Sequence, residues 1–460
     1  MDNGSNNNKL KHHHILLEIM EKIMELLRGS KVKYYLIDGE TILINGGKYP
    51  FDKSKIPIQC RPLNNLHGYR DGYTSGSRSI VIPFKEEWFK AKAIGIPTGS
   101  SQPIYYEGEI LTYYLYNARI GSGRLIWGFM TTEEAKHELE WIVKIRELNL
   151  PTIEPIGIGV YDKVRVLRLS NRIELFKFLA GKSIGRLISL FKEKSEAAKA
   201  ACIFCNEPSD IRADEILYGL LIPNIKELID IEDCKDYLKW LGSSCGYNLR
   251  LHHDNNIIHG TIKVEGGFMT NSHLANHIVT YDRTLIADYH MAREVRKRKD
   301  KKLKIEEYYC LMYVMNPLPS ARAIVHSMRR RASLIDLPEI QSGITPIEAI
   351  VLWDEVLRMH AGEYTPRNVH EELTKALIEG IEYGYNRRRI LEIESKLKRR
   401  MLIKLVILKS ILWKILNLPK GMQRGVEYVR QVIEKERKAI NWSFIKEAIE
   451  AAEEKVKKSL

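Results

Sequence analysis

The segment that most constrains this chain runs from Gly246 to Arg293, GYNLRLHHDNNIIHGTIKVEGGFMTNSHLANHIVTYDRTLIADYHMAR. Its pattern predicts a helix with an apolar face, a tight turn at His259-Gly260, and a loop closing on Asn276. A short strand over 277–280 and a second over 284–287 then deliver Asp288 at the end of a hairpin. An amide on a loop and a carboxylate at a hairpin end are both hard oxygen donors. Mg²⁺ takes a few such donors and keeps its remaining waters, so an ion is a hypothesis to test against the rest of the chain.

Upstream, residues 31–116 carry short β-rich runs, KVKYYLI, ETILI, RSIVIPF and EILTYYLY, separated by Gly, Pro and Asn clusters. This predicts a small, mostly antiparallel sheet. Within it, FKAKAIGIPTG (89–99) alternates so that Lys90 and Lys92 share one strand face just before Gly95. A lysine ending a strand beside a glycine-containing turn can reach a phosphate, because the ammonium is a compact point charge and glycine admits close backbone. Next, Thr131 or Thr132 caps a helix whose first turn is acidic, and Ala135, Leu139, Ile142, Val143 and Ile145 give it an apolar stripe. Glu138 lies at the margin of that stripe, where a carboxylate needs a partner. The strands TIEPIGIGVY and KVRVLRL close the sheet.

From Glu174 onward the pattern is helical, including GKSIGRLISLFKEKSEAAKAACIFC, DEILYGLLIPNIKELIDI and the helix entering the opening segment. Four segments result: a polar tail with a helix (1–29), a β-rich part with one long helix (30–173), a helical part with the site motif (174–298) and a basic all-helical extension (299–460). The 460 residues carry a formal net charge of +14, which suits a polyanion partner. Basic runs at 296–304, 329–331, 387–389 and 396–400 make nucleic acid a candidate partner for the C-terminal helices, with solvated faces as the plainer reading. MLIKLVILKSILWKILNL (401–418) is interrupted by Lys404, Lys409 and Lys414, which point in different directions at helical pitch, so it reads as a packed helix and not a membrane span. No secretory signal is visible, and the chain is expected to be cytoplasmic. Five glutamines among abundant Lys, Glu and Ile give a thermophile-like composition. Of six cysteines, Cys202 and Cys205 form one C-x-x-C, open to a metal, a disulfide or inert burial.

The order of these pieces resembles the protein-kinase-like superfamily: a sheet lysine, a helix glutamate, a helix running into His-Gly, an Asn, and a hairpin ending in Asp. It is nearest in pattern to the selenoprotein O branch, on Lys92-Ala-Ile-Gly95, Gly121-Ser-Gly-Arg124 and Leu150-Pro151-Thr152. The resemblance covers roughly residues 75–295. It implies an α+β, two-lobed fold with a β-rich N-lobe and a helical C-lobe, ATP in the cleft, and in that branch AMP transfer to protein hydroxyls. Lys92, with Gly95 and Arg124, would bind the nucleotide phosphates, Glu138 would orient Lys92, Asn276 and Asp288 would ligate Mg²⁺, and His259 would be the structural histidine of the catalytic loop.

One departure is plain. Thr261 follows His259-Gly260 where the family has Asp, and counting back from Asn276 lands on Asn271, with His273 at the second His position. His273 is the candidate base, since imidazole titrates near neutrality. The expectation is an ATP- and Mg²⁺-binding kinase-like transferase acting on a protein or small-molecule hydroxyl. A pseudokinase that binds nucleotide without turnover and a basic nucleic-acid-binding scaffold are the alternatives.

Overall fold

The computed structural model describes residues 31–313 and 367–415, except for 97–101, 117–123, 170–181, 296–300 and a few shorter loop positions. The expected helix within 1–29, the basic run 329–331, residues 121–123 of the Gly-Ser-Gly-Arg segment and the part of the apolar run beyond Ile415 lie outside the described residues. The architecture is α+β, a large curled sheet followed by helices and small hairpins.

Strand Glu87–Lys92 sits inside the sheet, antiparallel to Ser79–Phe84 on one side and Ser195–Glu207 on the other, with Lys92 opposite Ser79 and Ile203. Ser195–Glu207 pairs in turn with the long strand Glu154–Leu169, which runs parallel to Glu109–Tyr116. Strand Lys55–Ile58 stands at one end of the strand order, yet Gln59 N–H donates to Ile94 O at 2.6 Å and Gln59 bridges Gly95. The sheet therefore curls until its end strand meets the end of Glu87–Lys92. Gly95 is required at that closure: its φ is +100° and a Cβ would stand 2.0 Å from Gln59 O. Its glycine is thus explained by the sheet's own closure. Ile56, Ile58, Ile80, Phe89 and Phe204 fill the inside of the curl. Ile142, Ile145, Ile203, Ile278 and Ile286 form a second core on the opposite face.

The helices are α1 (Thr132–Glu147), α2 (Ile184–Lys194), α3 (Ala213–Leu217), α4 (Ile231–Asp254), α5 (Lys301–Tyr313), α6 (Arg367–Arg387) and α7 (Ser395–Ile415). One expected helix is corrected. Among the described residues of the 181–205 segment only 184–194 are helical, and Ser195–Glu207 is a strand, buried on both faces over 200–207. A continuous apolar run such as AACIFC looks the same to a buried helix and a buried strand, so periodicity could not separate them. The sheet consequently runs past residue 173, to Glu207. The change also separates the C-x-x-C pair: three positions apart on a strand point to opposite faces, and Cys202 packs inside the curl while Cys205 joins the second core. All six cysteines are free thiols. DEILYGLLIPNIKELIDI likewise folds as the short α3 and two 3₁₀ turns, Tyr218–Leu221 and Ile225–Glu227, and not as a helix.

α6 lies directly against α4 through two glycine pairs. Added Cβ atoms would stand 2.3 Å from Leu377 O at Gly242, 2.2 Å from Ile381 O at Gly246, 2.2 Å from Lys239 O at Gly380 and 2.0 Å from Ser243 O at Gly384. Glycine four residues apart on both helices lets backbone meet backbone. α7 buries Met401, Leu402, Leu405 and Leu408 and is a packed helix; among the described residues no helix is long and apolar enough to cross a membrane. Three of the basic runs make contacts within the chain, the first through Lys304, which donates to His253 O. Arg388 pairs with Asp254 at 3.3 Å and Arg400 with Asp233, Arg399 donates to Tyr281 Oη, and Lys398 lies over the Trp240 ring.

Gly384→Ala is expected to destabilise the fold by about 1–3 kcal/mol, because backbone cannot withdraw as a flexible side chain can. Gly185→Ala, where a Cβ meets nothing within 4 Å, should be neutral or slightly stabilising. Urea unfolding of both variants checks the pair.

Candidate functional site

Three residues far apart in sequence meet in one contact. Lys92 Nζ donates to both Glu138 oxygens, at 2.7 and 2.8 Å, and to Asp288 Oδ1 at 2.5 Å. Each is positioned by local sequence. Lys92 ends its strand, and Ala93 turns the chain there with a φ of 67°. Glu138 shares the buried face of α1 with Ala135, Ile142 and Ile145, and the helix start is fixed by a capping box in which Thr131 Oγ1 accepts from Glu134 N–H at 3.1 Å and the Glu134 carboxylate accepts from Thr131 N–H at 2.9 Å. Asp288 follows the hairpin His277–Val279 and Thr284–Ile286, with His277 opposite Ile286, and adopts a φ of 71°. The left-handed region is open to Asp through its short polar side chain, but it costs energy and is concentrated at functional sites.

Asn276 comes just before the hairpin strand His277–Val279 and faces Ala287, its carbonyl accepting from Ala287 N–H at 2.9 Å. Its Nδ2 donates to Asn271 O at 2.8 Å, and Asn271 Nδ2 donates to Asp288 O at 2.7 Å. The two amides thus form a relay that holds the Asp288 backbone. Leu150-Pro151-Thr152 ties α1 to the same hairpin, since Thr152 Oγ1 donates to Ile286 O at 3.0 Å and Pro151 O accepts from Ile286 N–H.

The charges follow from this geometry. Burial alone would lower the pKa of Lys92, but the Asp288 and Glu138 carboxylates outweigh it and raise the ammonium above its ordinary value. Burial would raise Asp288; Lys92 and His290 instead hold it well below the usual carboxylate range. His290 Nδ1–H donates to Asp288 Oδ1 at 2.8 Å, and despite its burial the charge of Asp288 raises its pKa.

The remaining expected site residues fall differently. Gly95 is committed to the sheet closure. Arg124 begins the strand Arg124–Ile126, paired with Tyr116 in the sheet. His259 is fully buried against the Tyr289 ring and donates through Nε2 to Ala287 O at 2.8 Å, which ties the turn at His259-Gly260 to the segment that carries Asp288. His273 is half-buried at the start of the Leu274–Asn276 turn, its carbonyl accepting from Asn276 N–H. The extra length between His259 and Asn276 is a hairpin, Thr261–Val264 with Gly267–Thr270; residues 265–266, the Glu265-Gly266 of VEGG, lie outside the described residues.

Sequence reasoning missed two positions of this arrangement. His290 had a signal, its spacing two residues from Asp288. Glu307 on α5 had none. Fully buried, it accepts from Gly260 N–H at 2.7 Å and Thr261 Oγ1 at 3.1 Å through Oε1, and from His259 N–H at 3.1 Å and His253 Nε2–H at 2.9 Å through Oε2. His253 Nδ1 lies 2.7 Å from the Tyr385 hydroxyl of α6, which links the C-terminal helices to the turn at His259. A second buried ion group, Lys90 with Glu207 at 2.9 Å and Glu207 with Arg212 at 3.3 Å, sits where the chain leaves the sheet.

Comparison with known protein families and with curated proteins found no match.

Acid sensitivity is expected from three buried histidines. Burial lowers the pKa of His259, and pushes His252 and His277 down to about 3. Unfolded, each titrates near about 6.5 and gains a proton that the fold excludes, so stability is complete above that pH and falls as pH drops toward the folded values. The loss should approach about 1.4 kcal/mol per pH unit for each histidine. Urea midpoints from neutral to mildly acidic pH check this, and His277→Gln should remove one share of the slope.

Proposed function

We propose that this chain is a cytoplasmic, two-lobed, kinase-like protein that binds ATP and Mg²⁺ where Lys92, Glu138 and Asp288 meet, and transfers a phosphoryl or AMP group to a protein or small-molecule hydroxyl. The observation that carries the reading is the Lys92 contact itself. An ammonium at a strand end is held by a helix carboxylate and a hairpin carboxylate, brought together across 46 and 196 residues of chain. The donor chemistry fits a hard cation: the Asp288 side chain keeps 27% of its surface exposed, and the Asn276 amide is linked through Asn271 to the Asp288 carbonyl.

Bound Mg²⁺ would supply charge neutralisation of the phosphates and a template for the transferred group. The chain's own residues do the rest. Glu138 holds Lys92 by two contacts, so the ammonium can leave Asp288 for a phosphate without losing its anchor. The Asn276–Asn271 relay and His259 fix the Asp288 backbone and so the aim of its carboxylate. His273, close to Asn276 in the turn, is the candidate to take a proton from the acceptor hydroxyl.

A second reading, a nucleotide-responsive module without turnover, is favoured by Asn271. It stands at the position counted for the catalytic Asp, carries no basic oxygen, and its amide nitrogen is engaged by Asp288 O.

Lys92→Ala and Asp288→Ala should each weaken Mg·ATP binding by roughly tenfold or more in a fluorescent-nucleotide titration; unchanged affinity in both would sink the assignment. ATP labelled at the α or the γ position separates the activities. Label from the α-phosphate on an acceptor means AMP transfer, and label from the γ-phosphate means phosphoryl transfer. Neither, with binding retained, selects the inactive module.

A further inference from the structure

We infer that Asp288 and His290 together form a divalent-ion chelate in this site, and that the imidazole makes Mn²⁺ its preferred ion over Mg²⁺; the inference rests on the nucleotide-site reading above. His290 Nδ1 and Asp288 Oδ1 are 2.8 Å apart. Two donors at right angles on one ion, with bonds of roughly 2.1 Å, stand about 3 Å apart, so the pair already has the spacing of neighbouring ligands. Glu138 offers a third donor, and one ligand atom from each of Glu138, Asp288 and His290 lies within 4.8 Å of the others.

The pair is held rigidly. Asp288 is fixed through its carbonyl by Asn271, and the residue between the two donors, Tyr289, is buried with its hydroxyl 3.0 Å from His252 Nε2 and its ring against His252 and His259. Both side chains remain reachable, with 27% and 31% of their surfaces exposed. Asp288 Oδ1 is also the atom that Lys92 Nζ meets at 2.5 Å, so an ammonium and an imidazole N–H converge on one oxygen, as they would on the position of a cation's ligand. A metal ion bound there takes the oxygen from both. Lys92 keeps its contact to the Glu138 oxygen that the ion does not take, and His290 gives one proton to solvent and turns its Nδ1 lone pair to the ion. Oxygen ligands alone suit Mg²⁺, whereas an imidazole nitrogen adds affinity for Mn²⁺ and the later first-row ions.

The test uses the full chain without nucleotide, titrated with Mn²⁺ and followed by the electron paramagnetic resonance of the free ion, with Mg²⁺ as competitor. The wild-type complex should show spin-echo modulation from a directly bound imidazole nitrogen. His290→Ala should weaken Mn²⁺ binding by about tenfold and erase that modulation. Unaltered Mn²⁺ affinity in His290→Ala, or no nitrogen modulation in the wild type, overturns the inference. The two readings fail separately. A wild type that binds Mg·ATP but holds Mn²⁺ no tighter than Mg²⁺ removes the chelate and keeps the nucleotide site. One that binds Mn²⁺ through nitrogen without binding Mg·ATP keeps the chelate and removes the nucleotide site.

Discussion

One ammonium shared by two carboxylates couples the parts of this molecule. Lys92 belongs to the sheet, Glu138 to α1 and Asp288 to a hairpin laid against the second core. Buried charge is tolerated only in company, and removing one partner of such a set typically costs about 3–5 kcal/mol because the others are left uncompensated. The sheet closure at Gly95, the capping box of α1 and the tie from Thr152 to Ile286 all serve to bring these three groups to one point. The left-handed backbone of Ala93 and Asp288 belongs to the same arrangement, since strain of that kind persists only where the surroundings over-determine it.

Support for the site extends beyond its own segment. Glu307 gathers the amides of His259 and Gly260, and His253 connects it to Tyr385. The glycine pairs of α4 and α6 place Tyr385 within reach of His253, because only backbone-to-backbone packing lets the helices approach this closely. Residues 367–387 are therefore integral to the framework that holds the turn at His259 and are not a peripheral extension of it.

Local chemistry was legible in the sequence where it was dense. The helix over 132–147, the hairpin ending at Asp288, the paired faces of Lys90 and Lys92 and the buried-edge position of Glu138 follow from periodicity, capping and turn residues acting at short range. The strand Ser195–Glu207 was not legible, because its run 200–207 is buried on both faces and has no alternation to read. Glu307 was not legible either: its partners are backbone amides 47 and 48 residues away, and nothing local distinguishes it from its neighbour Glu306. The glycines at 242, 246, 380 and 384 were visible one by one, but their meaning lies in a pairing across more than a hundred residues that no single helix announces.

Asp288 Oδ1 serves two donors at once, the ammonium of Lys92 from the sheet and the imidazole of His290 from its own segment. That oxygen joins the strand end that carries Lys92 to the segment that carries His290, and as part of a partly exposed ion pair it feels dissolved salt, since counterions at physiological strength screen charge over roughly 8 Å. The contact is therefore a salt-responsive joint laid over a salt-indifferent apolar layer: raising ionic strength weakens the tie of Lys92 to Asp288, while the packing of Ile203, Ile278 and Ile286 stays.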